Sequence, residues 1–266
     1  MEKLVYVFVN FFTHKDKLAP VEELIGTMFT PLHIVLAALL LGGVIVAALL
    51  TPEKERVLKV VYIVLWAVLW GLEITRIIWE SVAGNEVSLQ IPGLLHACSI
   101  YLYAMPFAIW GKDKVRHSAC GFACTLGLLG GAVNFIYPMT SLNRYSIISF
   151  VGFHSMFYHA VLIYTALTML RSGYHRFTRV YSIWDTLLPC VFTLIVSIPA
   201  NIVNYTTGQD YMFFRGKSAF LPALFGDTPE WIITIIIYAL YIIVPACFYL
   251  PSYLSQRVKM RRATEA

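Results

Sequence analysis

Seven long apolar stretches occupy most of this chain, at about 28–50, 57–79, 92–111, 115–137, 145–171, 181–205 and 229–254. Each reaches roughly the 20 residues that a helix needs to cross a hydrocarbon core. Backbone polar groups in lipid must be satisfied internally, so stretches of this kind fold as helices. The connections between them are short, and no internal repeat or interdomain linker interrupts the series. With 59% apolar and only 13% charged residues, the composition lies far from the roughly half apolar and one-quarter charged of soluble domains. The expected fold is therefore an all-α membrane protein, a seven-transmembrane-helix bundle. It forms a single polytopic domain over 1–266: an interfacial N-terminal segment at 1–27, the bundle at 28–254 and a basic cytoplasmic tail at 255–266.

The N-terminal segment carries a short apolar run from Leu4 to Phe12, followed by His14, Lys15, Asp16 and Lys17. The run is too short to span, and the charged n-region and small-residue cleavage site of a secretory signal are missing. A helix lying in the headgroup region is the expectation, with a frayed terminus as the plainer alternative. Orientation follows from Lys and Arg, which accumulate in cytoplasmic loops. Lys54, Arg56 and Lys59 fill the first loop. Lys112, Lys114 and Arg116 fill the third, and Arg171, Arg176 and Arg179 the fifth, with Arg257, Lys259, Arg261 and Arg262 in the tail. The alternate loops are poorer, holding Arg144, Arg215 and Lys217. The chain should run N-out and C-in, as a multi-pass protein of a bacterial cytoplasmic membrane. Its net charge of +5 is accounted for by this topology and calls for no nucleic-acid partner.

Placed by depth, the polar residues within the spans gather toward the outer side. His33 opens the first helix, Glu73 and Arg76 close the second, and His96 and Cys98 open the third. Asn134 closes the fourth, His154 and His159 lie in the fifth, and Asn201 and Asn204 close the sixth. The inner half offers chiefly Asp185. Polar groups in a bilayer are costly and mark sites or conduits, so a polar pocket opening toward the outer leaflet is expected. Glu73 and Arg76 share a helix face and form an ion pair, read either as a structural clamp or as part of the pocket. Asn201 and Asn204 follow Pro199, an expected kink, and serve either interhelical hydrogen bonding or binding.

Five cysteines, Cys98, Cys120, Cys124, Cys190 and Cys247, all fall inside predicted helices, so no disulfide framework is expected. Cys120 and Cys124 lie in a helix with Gly121, Gly127, Gly130 and Gly131, a pattern that reads as close helix packing. Cys98 lies close to His96, just after Pro92-Gly93, at the level of the other polar groups. A thiol beside an imidazole is a nucleophile for acyl transfer, against the ordinary reading of a buried Cys as a small apolar filler. His154 and His159 are the two candidate bases. Five residues apart, they point about 140° from each other, so both do not serve one site.

Several segments resemble a known family. Ile91-Pro92-Gly93-Leu94-Leu95-His96-Ala97-Cys98-Ser99, with Met105-Pro106-Phe107-Ala108-Ile109 after it, is similar to the "LPLHLCS…PIAL" stretch of the YwaF-like bacterial integral membrane proteins. Gly127 to Ala132 with Tyr137-Pro138, Phe157-Tyr158-His159-Ala160, Asn204-Tyr205 with Tyr211-Met212-Phe213, and Tyr249-Leu250-Pro251 follow in the family's order. The chain departs from the pattern at Ala97, at Ala160 and at Met139, where the family has an acidic residue after the proline. The resemblance implies a seven-helix membrane fold related to the transmembrane protein 164 acyltransferases of ether phospholipids. It also implies a catalytic Cys and His, which fall on Cys98 and His159, with His154 as the alternative base.

The reading is a membrane enzyme of lipid acyl transfer or acyl-ester hydrolysis, its partner a membrane lipid or acyl-lipid substrate, with no cofactor and no metal. Glu73, Arg76, His96, Asn134, Asn201 and Asn204 are the expected pocket residues, with Asn201, Asn204 or Arg76 holding an oxyanion or a headgroup phosphate. The alternative is a non-catalytic transporter or small-ligand or lipid-binding protein using the same pocket. A metal-dependent hydrolase built on His33, His96 and His154 is a third reading. It is weakened because no helix places two ligands one turn apart.

Overall fold

A computed structural model describes residues 2–20, 23–83, 94–177, 187–217 and 221–265, with no account of the side chains from 259 onward. All regular structure among the described residues is helical. The helices are α1 (Glu2–Val9), α2 (Pro31–Leu50), α3 (Glu55–Ala83), α4 (Ile100–Trp110), α5 (Asp113–Ile136), α6 (Phe150–Arg171), α7 (Leu188–Thr207), α8 (Leu221–Phe225) and α9 (Glu230–Glu265). Six of them, α2, α3, α5, α6, α7 and α9, are long and apolar enough to cross a membrane. The third predicted span is represented by α4, an apolar helix of 11 residues. Its expected start at Pro92-Gly93 lies outside the described residues, as do Asp185 and Arg179. Apolar side chains from Ile34 to Val258 stand exposed on the outside of the bundle, as the hydrocarbon of a bilayer requires.

Local sequence accounts for the helix ends. Pro31 occupies the first turn of α2, where its missing N–H costs nothing. Pro52 disfavours helical geometry for Thr51, where α2 stops. Ser149 caps α6, its hydroxyl accepting from Gly152 N at 3.2 Å. Pro199 lies inside α7, which continues through it as one helix.

α6 is the axis of the bundle. It buries residues on every side, which suits a helix that meets protein all round. Hydroxyl pairs fasten its neighbours to it: Tyr101 to Thr165 at 2.7 Å, Tyr62 to Thr168 at 3.0 Å, and Tyr164 to Thr51 at 2.7 Å. Trp66 Nε1 donates to Leu102 O at 2.8 Å and joins α3 to α4. α5 changes pitch midway, where Ala123–Gly127 forms a single π turn.

The glycines of α5 divide in purpose. A Cβ at Gly121 would lie 2.5 Å from Tyr249 Oη, and one at Gly131 would lie 2.7 Å from Ile163 Cγ1. These two let α5 press against α9 and α6. Gly130 faces elsewhere, toward the thiol of Cys98.

The N-terminal segment is fastened down. α1 itself is largely exposed, with Val7 buried. Beyond it Phe11 O accepts from Phe150 N at 2.9 Å, Phe12 O accepts from Trp79 Nε1 at 2.8 Å, and Tyr145 Oη accepts from Lys15 N at 3.2 Å. At the opposite end the basic loops are held by acids: Arg116 by Glu55 at 2.9 Å and Arg171 by Glu53 at 3.6 Å.

Candidate functional site

Cys98 sits in a tight turn just ahead of α4 rather than within a helix. Ser99 N donates to His96 O at 3.0 Å, and Tyr101 N donates to Cys98 O at 3.2 Å, which winds the chain into the helix. The Tyr158 hydroxyl, from α6, donates to the same Cys98 carbonyl at 3.3 Å. The thiol is thus fixed at a helix N-terminus, where the backbone dipoles favour negative charge.

His159 completes the pair. Its Nδ1 lies 2.7 Å from Ser155 O, one turn back on α6, and its Nε2 lies 3.2 Å from Cys98 Sγ. A carbonyl only accepts, so Nδ1 carries the proton and Nε2 is left with a lone pair facing the thiol. His159 Nε2 is thus placed to accept the Cys98 S–H proton.

Cys98 and His159 open into a cavity of about 340 Å³, within the size range of small-ligand pockets. Its walls are Leu126, Leu129, Val133, Ile237, Leu240 and Val244, with Phe122 toward one end and Tyr137, Met139 and Thr140 toward the other. Val133 is 51% exposed and Leu240 46% exposed, so this wall is also the outer, lipid-facing surface of the bundle between α5 and α9. From Gly130, beside the thiol, α5 runs eight residues to Phe122, roughly 12 Å of apolar wall at 1.5 Å per residue.

His154 faces a different group. Its Nε2 lies 3.2 Å from Glu73 Oε2. Arg76 NH2 meets Glu73 Oε1 at 2.6 Å, and Arg76 NH1 meets Glu80 Oε2 at 2.8 Å. Glu73 and His154 are buried and Arg76 and Glu80 half-buried, and none of the four lines the cavity. Of the two histidines, only His159 touches the thiol.

The remaining predicted site residues are dispersed. Asn134 lines the cavity. His96 is exposed and lies against the Tyr211 ring, centroids 5.1 Å apart. Asn201 Nδ2 donates to Ser197 O at 3.1 Å and to Tyr238 Oη at 2.8 Å, joining α7 to α9. Asn204 exchanges two bonds with the Tyr211 backbone, at 2.7 and 2.9 Å. That loop is further held by Asp210, which accepts from Arg215 N and Lys217 N, and by Glu230, whose bond to Arg215 raises the guanidinium further above its ordinary pKa. Its product is the placement of Phe213 against the cavity, with Tyr241 Oη donating to Met212 O at 3.0 Å. Asn201, Asn204 and Arg76 therefore bind protein groups away from the sulfur, and the expected oxyanion role does not fit them. His33 Nδ1 accepts from Phe29 N at 3.1 Å, far in sequence and bonding from the other histidines. Among the described residues no three His, Cys, Asp or Glu side chains gather as metal ligands.

The TMEM164 family model matches residues 28–250, from just before α2 to the middle of α9. The chain belongs to the TMEM164 family. The match takes in Cys98, His159 and every residue that lines the groove. No curated protein and no solved structure matches this TMEM164-family chain.

Sequence reasoning passed over three groups. Thr193 and Tyr241 line the cavity but sit in segments that read as plain apolar helix. At the opposite end of the bundle, His175 Nε2 lies 2.7 Å from Tyr249 Oη, with the His117 ring 5.0 Å from that of His175. Only the tertiary fold brings these three together.

Proposed function

We propose that this protein is a seven-span membrane enzyme, N-out and C-in in a bacterial cytoplasmic membrane, that moves an acyl group from a membrane lipid through a Cys98 thioester. The observation that carries the reading is the 3.2 Å contact of Cys98 Sγ with His159 Nε2 at the side of an apolar groove. In the first half-reaction Sγ attacks the ester carbonyl while its proton passes to His159 Nε2. Collapse of the tetrahedral intermediate breaks the bond to the lipid oxygen, which takes the proton back from Nε2 and leaves as a lysolipid. The second half-reaction runs in reverse, with a lysolipid hydroxyl (transfer) or water (hydrolysis) deprotonated by His159 as it attacks the thioester.

The His159 tautomer set by Ser155 O and the lipid-facing wall of the groove both support this route. Labelling by a fatty acyl p-nitrophenyl ester tests it. Cys98→Ala should abolish the thioester adduct, and Cys120→Ala and Cys124→Ala should retain it. Turnover by Cys98→Ala at the parent's rate would rule out the Cys98 thioester, and a parent chain that neither forms the adduct nor turns over would favour a lipid-binding protein using the same groove.

A further inference from the structure

Two cavity-lining residues carry a buried polar atom with no hydrogen-bond partner, Asn134 Nδ2 and Thr193 Oγ1, and of these Asn134 is the one held next to His159's own turn, through Ser155. Asn134 is 6% exposed and lines the cavity. Its Oδ1 accepts from the Ser155 hydroxyl at 3.4 Å, and its Nδ2 has no partner. A buried amide N–H left unpaired carries a desolvation cost, and such groups call for an explanation in terms of what binds there.

Its position supplies one. Asn134 lies one turn beyond Gly130 on α5, and a Cβ on Gly130 would come within 3.4 Å of Cys98 Sγ. Ser155, which holds the carboxamide, lies one turn before His159 on α6. The carboxamide thus stands about four residues, roughly 6 Å along the helix axis, from the level of the thiol and imidazole. Donors to a tetrahedral oxyanion lie about 3 Å from that oxygen.

We infer that Asn134 is the oxyanion donor of this site, its Nδ2–H bonding the ester oxygen that becomes negatively charged when Cys98 attacks, and that Ser155 is the residue that positions it. The inference rests on the Cys98–His159 acyl-transfer reading and adds the group that reading lacks. As Sγ bonds to the carbonyl carbon, the carbonyl π electrons move onto oxygen, and Nδ2–H meets the charge there. When the lipid C–O bond breaks, the pair returns and the contact relaxes to a neutral hydrogen bond. Ser155 serves both partners: its carbonyl accepts from His159 Nδ1–H, and its hydroxyl donates to Asn134 Oδ1.

Two reactions of one thiol separate this role from a structural one. Acylation by a fatty acyl p-nitrophenyl ester passes through an oxyanion, whereas alkylation by iodoacetamide needs the thiolate alone. Both are read on the Cys98 peptide by mass spectrometry, with the full chain in lipid vesicles. Asn134→Ala and the near-isosteric Asn134→Leu should slow acylation by roughly 10²–10³-fold while alkylation stays within about two-fold. Ser155→Ala, which keeps the carbonyl and loses the hydroxyl, should fall between parent and Asn134→Ala in acylation. Acylation within about two-fold of the parent in both Asn134 variants overturns the inference, and so does an equal loss of acylation and alkylation. If Cys98→Ala is acylated and turns over like the parent, the underlying acyl-transfer reading fails instead.

Discussion

Gly130 and Gly131 are neighbours in one helix, and the same substitution should damage them in opposite ways. A Cβ at Gly131 would lie 2.7 Å from Ile163 Cγ1 and 3.0 Å from His159 O, inside the packed contact of α5 with α6. Overpacking of that kind costs about 1–3 kcal/mol, and removing a helix-interior glycine returns about 0.5–1. Gly131→Ala should therefore lose up to about 2.5 kcal/mol, a fall in Tm of up to about 10 °C for a domain of this size. A Cβ at Gly130 meets only Cys98 Sγ, at 3.4 Å, an ordinary contact distance. Gly130→Ala should keep or slightly raise Tm. It places a methyl group against the sulfur, however, where a reacting carbonyl must approach, and a misplacement of about 1 Å costs up to about 10²-fold in rate. Tryptophan fluorescence melts in detergent give the first quantity, and acylation of the Cys98 peptide gives the second. If Gly130→Ala is as active as the parent, or if Gly131→Ala melts with it, the assignment of one glycine to the site and the other to packing is wrong.

His159→Ala should slow acylation by about 10²–10⁴-fold without shifting the melt, as expected for loss of a general base; His154→Ala should leave acylation nearer the parent, and the two rates are compared in the same vesicles. Glu73→Ala removes a buried partner of Arg76 and should destabilise in the direction of the about 3–5 kcal/mol typical of broken buried pairs, lessened because Glu80 still holds the guanidinium; denaturant melts of Glu73→Ala and Glu73→Gln read it. A reporter fused after Arg262 should be cytoplasmic and one inserted in the 206–228 loop external, and the opposite result would reverse the leaflet that the groove faces.

The apolar spans were legible because lipid imposes length and composition on every crossing helix. Cys98 and His159 were legible as residue types, but they lie 61 positions apart, and only packing of α4 on α6 brings them to 3.2 Å. The spacing of Asn201 and Asn204 was read correctly as two polar groups on one helix. What decided their use was the return of the 208–217 loop and the placement of Tyr238, neither of which a local pattern encodes. Asn134 looked no more distinctive than those two. Its difference is a missing partner, which is a property of everything around it rather than of the residue. The four glycines of α5 show the same limit, since the pattern announced close approach without saying that one of them approaches a thiol.

The single π turn at Ala123–Gly127 makes α5 a helix with two phases. A π turn inserts a residue, so the part of the helix after it is rotated by about 100° from where a continuous α-helix would carry it. Upstream of the turn, Gly121 faces Tyr249 and Pro189; downstream, Gly130 faces Cys98 and Asn134 faces the groove. Both alignments exist at once only because of that extra residue. Were 123–127 to wind as plain α-helix with all five residues kept, the helix would still be apolar and long enough to span, yet the carboxamide would swing about 100° away from the thiol.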